Sequence, residues 1–483
     1  MTFRFIVLFG MLVSAYEGWA LEPVSLDSCR AMALRNNKQL LIGETNIKKS
    51  EYQREEARAA YFPSIDFVGG YTYNQKKISV FDSDQMLPVK TFNPVTGSYE
   101  FSVAKNPITG EPIKSADGQY VPQEVALIPK EAMTYNIHNV FFGAITLTQP
   151  VYMGGKIKAL NRLTDYATQF AEEKYIDATQ TIIYDVDVAY WQVVSLDAKV
   201  RLAESYVTLL DTLSRNVKAM WREGVATRSD TLMVRVKLNQ AQVDLAKVKD
   251  MLSLSRMALA QLCGLPIDCR LQLADEGCEN LLSSISTIDI PENLESVYNS
   301  RSDMRQLKLG YQMSRQQSAI EFASMLPNVS VIGAYTLSNP NIYNGFKHTF
   351  GGNFSVGLMV TVPLWHSGGN YHKYKAAQTN EAIMQLNIAD AEDKIALQVR
   401  QASYKAQEAV ETFKMTVENL ASAKENLRQA QIGFREGVMT IDNVMEAQTA
   451  WLKANSEYVD AQIEVQLCNT YLKKVLGVLT PNS

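Results

Sequence analysis

Side chains suited to acid-base, nucleophilic or metal chemistry are few in this sequence. Its four histidines belong to no zinc-binding helix motif, nucleophile elbow or phosphate-binding loop; they are His138, His348, His366 and His372. His366 and His372 flank a Gly-Gly pair and could bind a metal, but polarity at an interface is the favoured interpretation. The sequence therefore predicts that the protein is not an enzyme and uses no cofactor.

Five cysteines offer thiol chemistry. Cys468 falls on a small-residue position of a helical pattern and is most simply a buried free thiol. The other four could pair in an oxidising compartment; they are Cys29, Cys263, Cys269 and Cys278. Cys269 and Cys278 share one linker and are a candidate disulfide, with free thiols as the alternative. The spacing of Cys263 and Cys269 is too wide for a usual zinc-ligand pair.

The amino terminus predicts export. Arg4 precedes an apolar run from Phe5 to Ala15, and Gly18-Trp19-Ala20 is a cleavage pattern, so residues 1–20 are predicted to be a signal peptide. A membrane anchor is the alternative, although the run is shorter than the roughly 20 residues that a spanning helix needs. No other apolar run is as long, so any entry into a membrane must use strands. The net charge of -4 gives no sign of a nucleic-acid partner.

The second half of the sequence has the pattern of two long helices, and these helices must position any functional residues there. Apolar and small residues from Val399 to Val475 follow a three-then-four spacing on both sides of Gly437. Such heptad seams are typical of packed coiled-coil helices. They predict two helices, 370–436 and 438–476, that form an antiparallel hairpin turning at Gly437.

The first half repeats this pattern 213 positions earlier. Helices 156–223 and 226–263 are predicted on either side of Gly224, and the turn sequence Arg222–Thr227 matches Arg435–Thr440. Register kept over some eighty residues indicates an internal duplication. The predicted organisation is a first repeat, a linker and a second repeat: 21–264, 265–291 and 292–483.

Each repeat also contains two strand patterns, in which apolar residues alternate with small or polar ones. The predicted strands are 62–76, 138–153, 327–338 and 353–365. The first strand pair is separated by 51 more residues than the second, and this extra segment, about 77–137, is interpreted as an external loop insertion. Packing onto a soluble core is the alternative for the strands. Because the smallest membrane barrels have about 8 strands, four strands predict a barrel shared among subunits.

Together these features resemble the TolC-like outer-membrane efflux protein family. The resemblance covers nearly all of the mature chain and depends on the tandem halves, the Phe62-Pro63 joint and two similar strand-to-helix crossings. The residues of these crossings are Pro150, Gly154 and Gly155 in the first repeat, and Pro363, Gly368 and Gly369 in the second.

The resemblance implies a mainly α fold with a membrane β-barrel part. Three chains would form a 12-stranded barrel in outer-membrane lipid, continued by a periplasmic helical tunnel, with the linker 265–291 in an equatorial belt. The implied partners are a periplasmic adaptor (membrane fusion) protein and an inner-membrane pump of RND or ABC type. The implied location is the outer membrane of a Gram-negative bacterium, with a large periplasmic extension.

The resemblance also assigns roles to the hairpin ends. Adaptor docking would use Gly224, Thr227, Gly437 and Thr440. The polar lock that closes the family's tunnel would place its acidic residue on Asp230, but its Tyr on Phe434 and its Arg on Met439, so an ionic lock is not expected here. The family's acidic ring falls on Asn443 and Glu446, with Asp442 as a further carboxylate. Threefold repetition of Asp230 and Glu446 would then give a mildly acidic constriction that favours cations. A gate closed mainly by apolar packing around Trp221, Phe434, Met439 and Val444 is therefore expected.

The implied function is the exit duct of a tripartite efflux pump for small molecules such as drugs. An outlet for type I protein secretion remains an alternative, because similar outlets serve both processes. A structural or adhesive surface protein is the other alternative, since long hairpins and a large external loop would suit one.

Overall fold

The computed structural model describes residues 23–278 and 293–480. The predicted signal peptide, 1–20, and residues 279–291 of the predicted linker lie outside this part. The chain divides into a helical unit, which contains residues up to Ala57, Lys158–Phe322 and Gly369 onwards, and a strand unit of Arg58–Ile157 and Ala323–Gly368. The helices are α1 (Leu26–Asn36), α2 (Lys38–Ala59), α3 (Lys156–Arg222), α4 (Arg228–Leu262), α5 (Glu295–Ser300), α6 (Ser302–Ala323), α7 (Gly369–Arg435) and α8 (Ile441–Val475).

The duplication is visible in the helix lengths. Both α3 and α7 have 67 residues, and both α4 and α8 have 35. At 1.5 Å per residue the longer helices extend about 100 Å. The return helices begin later than the predicted 226 and 438, because the residues after each turn glycine form the turn and the helix cap. No helix in the described residues has the length and hydropathy needed to cross a membrane.

The heptad positions form the core between these helices. On α8, alternating small and large seam residues are buried, among them Val444, Ala447, Ala454, Ala461, Val465, Leu472 and Val475. Small residues let neighbouring helices approach closely, and the larger ones fill the gaps between them. The predicted heptad seam is therefore the buried face of this helix.

The strand unit contains a four-stranded antiparallel sheet. Its strands are β1 (Ser64–Tyr73), β8 (Asn139–Met153), β9 (Asn328–Asn339) and β10 (Gly351–Thr361), in the order β1-β8-β9-β10. The last strand ends before the predicted residue 365, because Pro363 lacks a donor and biases its predecessor away from regular pairing. The direct pairing of β8 with β9 joins the two repeats in one sheet.

One face of this sheet is apolar across all four strands. The register places Phe67 opposite Ile145, Ile145 opposite Tyr335, and Tyr335 opposite Phe354. All four of these side chains are exposed in the single chain. On the other face, Asp66 lies opposite Thr146, which is opposite Ala334. The sheet therefore has one apolar and one mostly small or polar face.

The insertion between β1 and β8 forms its own nested strand pairs. Its strands are β2 (Ile78–Ser79), β3 (Gln85–Pro88), β4 (Lys90–Asn93), β5 (Ser98–Phe101), β6 (Val125–Ile128) and β7 (Thr134–Tyr135). β2 pairs with β7, β3 with β6, and β4 with β5. The side chains of Asn93 and Asn106 each accept a hydrogen bond from the backbone two residues later, which is the usual action of Asn in turns.

The five cysteines are all free thiols. The candidate disulfide between Cys269 and Cys278 is therefore not formed in the structure. The two residues end separate backbone turns, in which Cys269 N–H donates to Pro266 and Cys278 N–H donates to Asp275. Cys468 is buried on the α8 seam, and burial raises the pKa of its thiol to about 12.

Candidate functional site

The turn between α3 and α4 is a glycine-terminated helix end. Gly224 has a φ of +79°, and the N–H of Val225 donates to the carbonyl of Met220 at 2.8 Å. This is the pattern of a Schellman turn, in which the left-handed residue is usually glycine. A Cβ at Gly224 would have nothing within 4 Å, so the backbone conformation alone requires glycine here.

The turn between α7 and α8 has the same construction. Gly437 has a φ of +74°, and the N–H of Val438 donates to the carbonyl of Gly433 at 2.8 Å. This hydrogen bond corresponds, 213 positions later in the sequence, to the bond from Val225 to Met220 at the first turn. The two turns therefore present similar exposed ends, with Val225 and Val438 both open to solvent.

The helices that leave the two turns are capped differently. The Oγ1 of Thr227 accepts the N–H of Asp230 at 3.1 Å, while the Asp230 carboxylate accepts the N–H of Thr227 at 2.8 Å. This reciprocal capping box satisfies two donors of the first helical turn. In the second hairpin, Thr440 Oγ1 instead donates to Oδ1 of Asn443 at 2.8 Å. The second helix thus lacks the complete box.

Capping gives Asp230 a function that the sequence analysis did not assign. Its carboxylate is bound to the backbone at the start of α4, whereas Asp442 and Glu446 are exposed on α8. Since Asp442 and Glu446 are four residues apart, they lie on one side of the helix. The Thr-x-x-Asp spacing of residues 227–230 was the sequence signal for the cap.

An apolar cluster packs the two hairpin ends together. It contains buried residues from α3, α4, α7 and α8, including Leu213, Val217, Val234, Leu427, Ile441 and Val444. Phe434 packs against this cluster. Trp221 and Met439 are not among its members, and both are exposed. Of the apolar residues expected at the gate, only Phe434 and Val444 thus belong to the shared packing.

Met439 instead packs locally. Its side chain lies over Gly433, where an added Cβ would come within 2.8 Å of the Met439 Cγ. It therefore covers the last turn of its own hairpin's α7.

A cleft of about 450 Å³ adjoins the cluster. It is lined by α3, α7 and α8, with Phe434, Arg435 and Gln448 on one side and Asn216 and Met220 on the other. Gln448 is 1% exposed, and its Oε1 has no hydrogen-bond partner in the structure. Sequence reasoning missed Gln448, because a polar residue one position after a seam alanine is indistinguishable from a surface residue.

The residues of the two strand-to-helix crossings were also singled out in the sequence. β8 has a register irregularity between Pro150 and Tyr152, and Gly154 and Gly155 follow with φ values of +61° and +86°. In the second repeat Gly368 has a φ of +77°, and α7 begins at Gly369. These residues thus shape the two strand-to-helix connections.

His366 and His372, which could bind a metal by their spacing, lie on either side of Gly368-Gly369. Within residues 23–278 and 293–480, no group of three or more His, Cys, Asp or Glu side chains could hold a metal ion. The arrangement at the hairpin ends can instead present exposed helix ends and carboxylates to a partner or to a passing solute.

The sequence matches the family model described as outer membrane efflux protein over residues 132–265 and 293–478. It is 20% identical over 369 residues to outer membrane protein TolC of Vibrio cholerae, covering 74% of this chain and 83% of that protein. It is also 20% identical to alkaline protease secretion protein AprF of Pseudomonas aeruginosa, covering 71% of this chain and 70% of the other.

The fold is similar to that in crystal structures of CusC. The TM-score is 0.72 at 15% sequence identity, and the match covers 96% of this chain and 95% of the other. At this identity the likeness shows a shared fold, with long helical hairpins and a strand unit in one chain.

Proposed function

The chain belongs to the outer membrane efflux protein family, and we propose that three copies of it form a barrel and a helical tunnel that release small molecules to the outside. The protein is an outer-membrane channel of the type found in tripartite efflux and secretion systems. Within this class, we propose that it exports small molecules.

The four-stranded sheet provides the main support for this proposal. Its outer strands, β1 and β10, each have one strand partner in the described residues, and its apolar face is exposed. Unpaired edges and an exposed apolar face are both costly in water. Joining β1 of one copy to β10 of the next would give 12 strands and close a barrel with its apolar face towards lipid.

The helical unit supports the same assembly. Leu232, Val236 and Val243 form an exposed apolar stripe on α4 at heptad spacing, and Leu397 and Tyr404 form another on α7. We propose that the α4 stripe of one copy packs on the α7 stripe of the next. A contact between two different surfaces closes into a ring when the rotation between copies allows it.

The test is the native mass of detergent-extracted protein. Wild type should be a trimer, and Tyr404→Asp should dissociate it because the substitution places a charge in an apolar contact. Thr412→Asp adds the same charge at an exposed α7 position off the stripe and should remain trimeric. A monomeric wild type would overturn the architecture.

Partner docking is proposed for the exposed turns. A periplasmic adaptor, acting with an inner-membrane pump, would contact the ends around Gly224, Thr227, Gly437 and Thr440. Photo-crosslinkers placed at Thr227 and Thr440 should capture the adaptor, while one at the exposed Thr96 of the insertion should not. Adaptor crosslinks confined to Thr96 would reject this orientation.

The hairpin ends are also the proposed constriction. In a trimer, Asp442 and Glu446 would each form a ring of three carboxylates, and acidic rings in narrow pores favour cations. Asn443 would contribute a neutral amide beside them.

Protein secretion is the second candidate, because the relative AprF is named for the secretion of an alkaline protease. Deleting the gene in its own host separates the two functions. Increased sensitivity to toxic small molecules with unchanged secreted protein supports efflux; loss of a secreted protein with unchanged sensitivity supports secretion.

A further inference from the structure

Two cysteines that are distant in the sequence meet in the core of the helical unit. Cys29 lies in α1 and Cys263 is the residue after the last turn of α4. Both are 0% exposed. The Sγ of Cys263 donates to the carbonyl oxygen of Cys29 at 3.7 Å, across 234 positions of sequence. This juxtaposition was not evident in the sequence, which indicated Cys269 and Cys278 as the candidate pair.

The surrounding contacts fix the two chain segments against each other. The Nδ2 of Asn37 donates to the carbonyl of Leu262 at 3.1 Å. A Cβ on Gly264 would lie 2.6 Å from the Cβ of Asn36, so the chain approaches too closely here for a side chain. The end of α4 therefore packs tightly against α1, and the contact between Cys263 and Cys29 lies in the same interface.

The thiols interact with each other. A hydrogen bond between them raises the pKa of Cys29 and lowers that of Cys263. Both belong to an apolar cluster with Ala33, Leu259 and Leu273. Disulfides join cysteines whose Cα atoms lie within about 7 Å, which requires such direct contact.

We propose that Cys29 and Cys263 form a disulfide in the exported protein, linking α1 to the end of α4. The inference uses the outer-membrane location and does not depend on what the channel transports. The periplasmic side of that membrane is oxidising, so paired cysteines there form and keep disulfides.

The oxidant is a disulfide-carrying thiol oxidase of that compartment. One cysteine thiolate attacks a sulfur of the oxidase disulfide and displaces the other oxidase sulfur as a thiolate. The second cysteine, after losing its proton, attacks the mixed disulfide and releases the oxidase as its dithiol. The pair thus loses two protons and two electrons, and the oxidase disulfide gains the electrons.

Burial of the two sulfur atoms determines when the disulfide can form. In the folded chain neither sulfur is reachable, so the bond must form before α1 packs against α4. Once formed, the same burial shields it from reductants in solution.

The test is a thiol count on wild-type protein exported to the outer membrane of a host with an intact periplasmic oxidase. The protein is denatured and alkylated before reduction. We expect three of the five cysteines to be alkylated. Digestion with trypsin without reduction should join the peptide that ends at Arg30 to peptide 257–270.

Peptide 257–270 contains both Cys263 and Cys269, so variants assign the bond. Cys269→Ser is the matched control and should retain the cross-linked peptide, whereas Cys29→Ser and Cys263→Ser should abolish it. Alkylation of all five cysteines in wild type would overturn the proposal. So would a cross-link that is lost in Cys269→Ser, because it would place the bond on Cys269 instead.

Discussion

At the scale of single residues, the two hairpin ends differ in the residue that caps the returning helix. Asp230 completes the cap of α4, while its duplicated counterpart in α8 is Asn443, which accepts from Thr440 Oγ1. A neutral amide interacts less favourably with the positive end of the helix dipole than a negatively charged carboxylate does. The first hairpin should therefore have the better-anchored return helix.

This difference predicts the effect of Asn443→Asp. The substitution should complete the capping box at Thr440 and stabilise the first turn of α8 by about 0.5–1 kcal/mol, since caps have effects of this size. Slower amide hydrogen exchange in residues 440–444 measures it. Asp230→Asn is the reciprocal variant and should accelerate exchange at the start of α4. Unchanged exchange in both would contradict the capping assignment.

The exposed carboxylates predict a selectivity change. Asp442→Asn combined with Glu446→Gln should reduce the cation preference of the channel in single-channel recordings, because it removes both proposed rings. Asp230→Asn is the control, since that carboxylate is engaged by the Thr227 N–H. If only the Asp230 variant changed selectivity, the proposed constriction would be misplaced.

At the scale of elements, packing between hairpins holds their ends together. Phe434 of α7 contacts a cluster built from both hairpins, and the neighbouring cleft leaves space beside it. The closed arrangement thus depends on apolar contacts that a single truncation can weaken.

Phe434→Ala should therefore favour an open channel. Removing a partly buried aromatic ring costs packing free energy, up to about 3–5 kcal/mol when burial is complete. The open probability in single-channel recordings should increase. Met439→Ala is the comparison, since its side chain packs locally over Gly433, and it should have the smaller effect. Equal opening in both variants would argue against the shared cluster as the gate.

The short helix α1 is attached by a buried ion pair. Arg30 donates twice to Asp187 of α3, both bonds at 2.7 Å, and Asp187 is 0% exposed. Arg30→Met should leave a buried carboxylate unpaired and destabilise α1 docking by about 3–5 kcal/mol. Limited proteolysis within residues 23–36 measures this. Arg30→Met with Asp187→Leu should recover much of the resistance; if it did not, the charge would not be the cause.

At the scale of the whole molecule, the insertion is the main departure from internal symmetry. Its short strands lie between β1 and β8 in the sequence and, within the described part of the chain, pair only among themselves, as three two-stranded sheets. Since β1 and β8 are paired directly along ten residues, the sheet does not require the insertion for its register.

Deletion of 80–133 should therefore leave assembly intact. Joining Ser79 to Thr134 through Asn-Gly would close β2 and β7 with a two-residue hairpin turn. We expect the same trimer by native mass and the same conductance. Loss of the trimer would show that the insertion contacts neighbouring copies.

The sequence alone determined the helical hairpins, the duplication and the strand pairs, because each depends on local periodicity, on a turn residue or on a repeat that is readable along the chain. Val444 and Ala447 were predicted on a seam and are buried, and Gly224 and Gly437 were predicted at turns and have positive φ. Only the tertiary structure decided which distant residues meet. Cys29 lies against Cys263 rather than Cys269 pairing with Cys278, and Trp221 stays outside the cluster that Phe434 joins. Periodicity specifies which face of a helix is buried, but the neighbour on that face is set by packing between segments hundreds of residues apart.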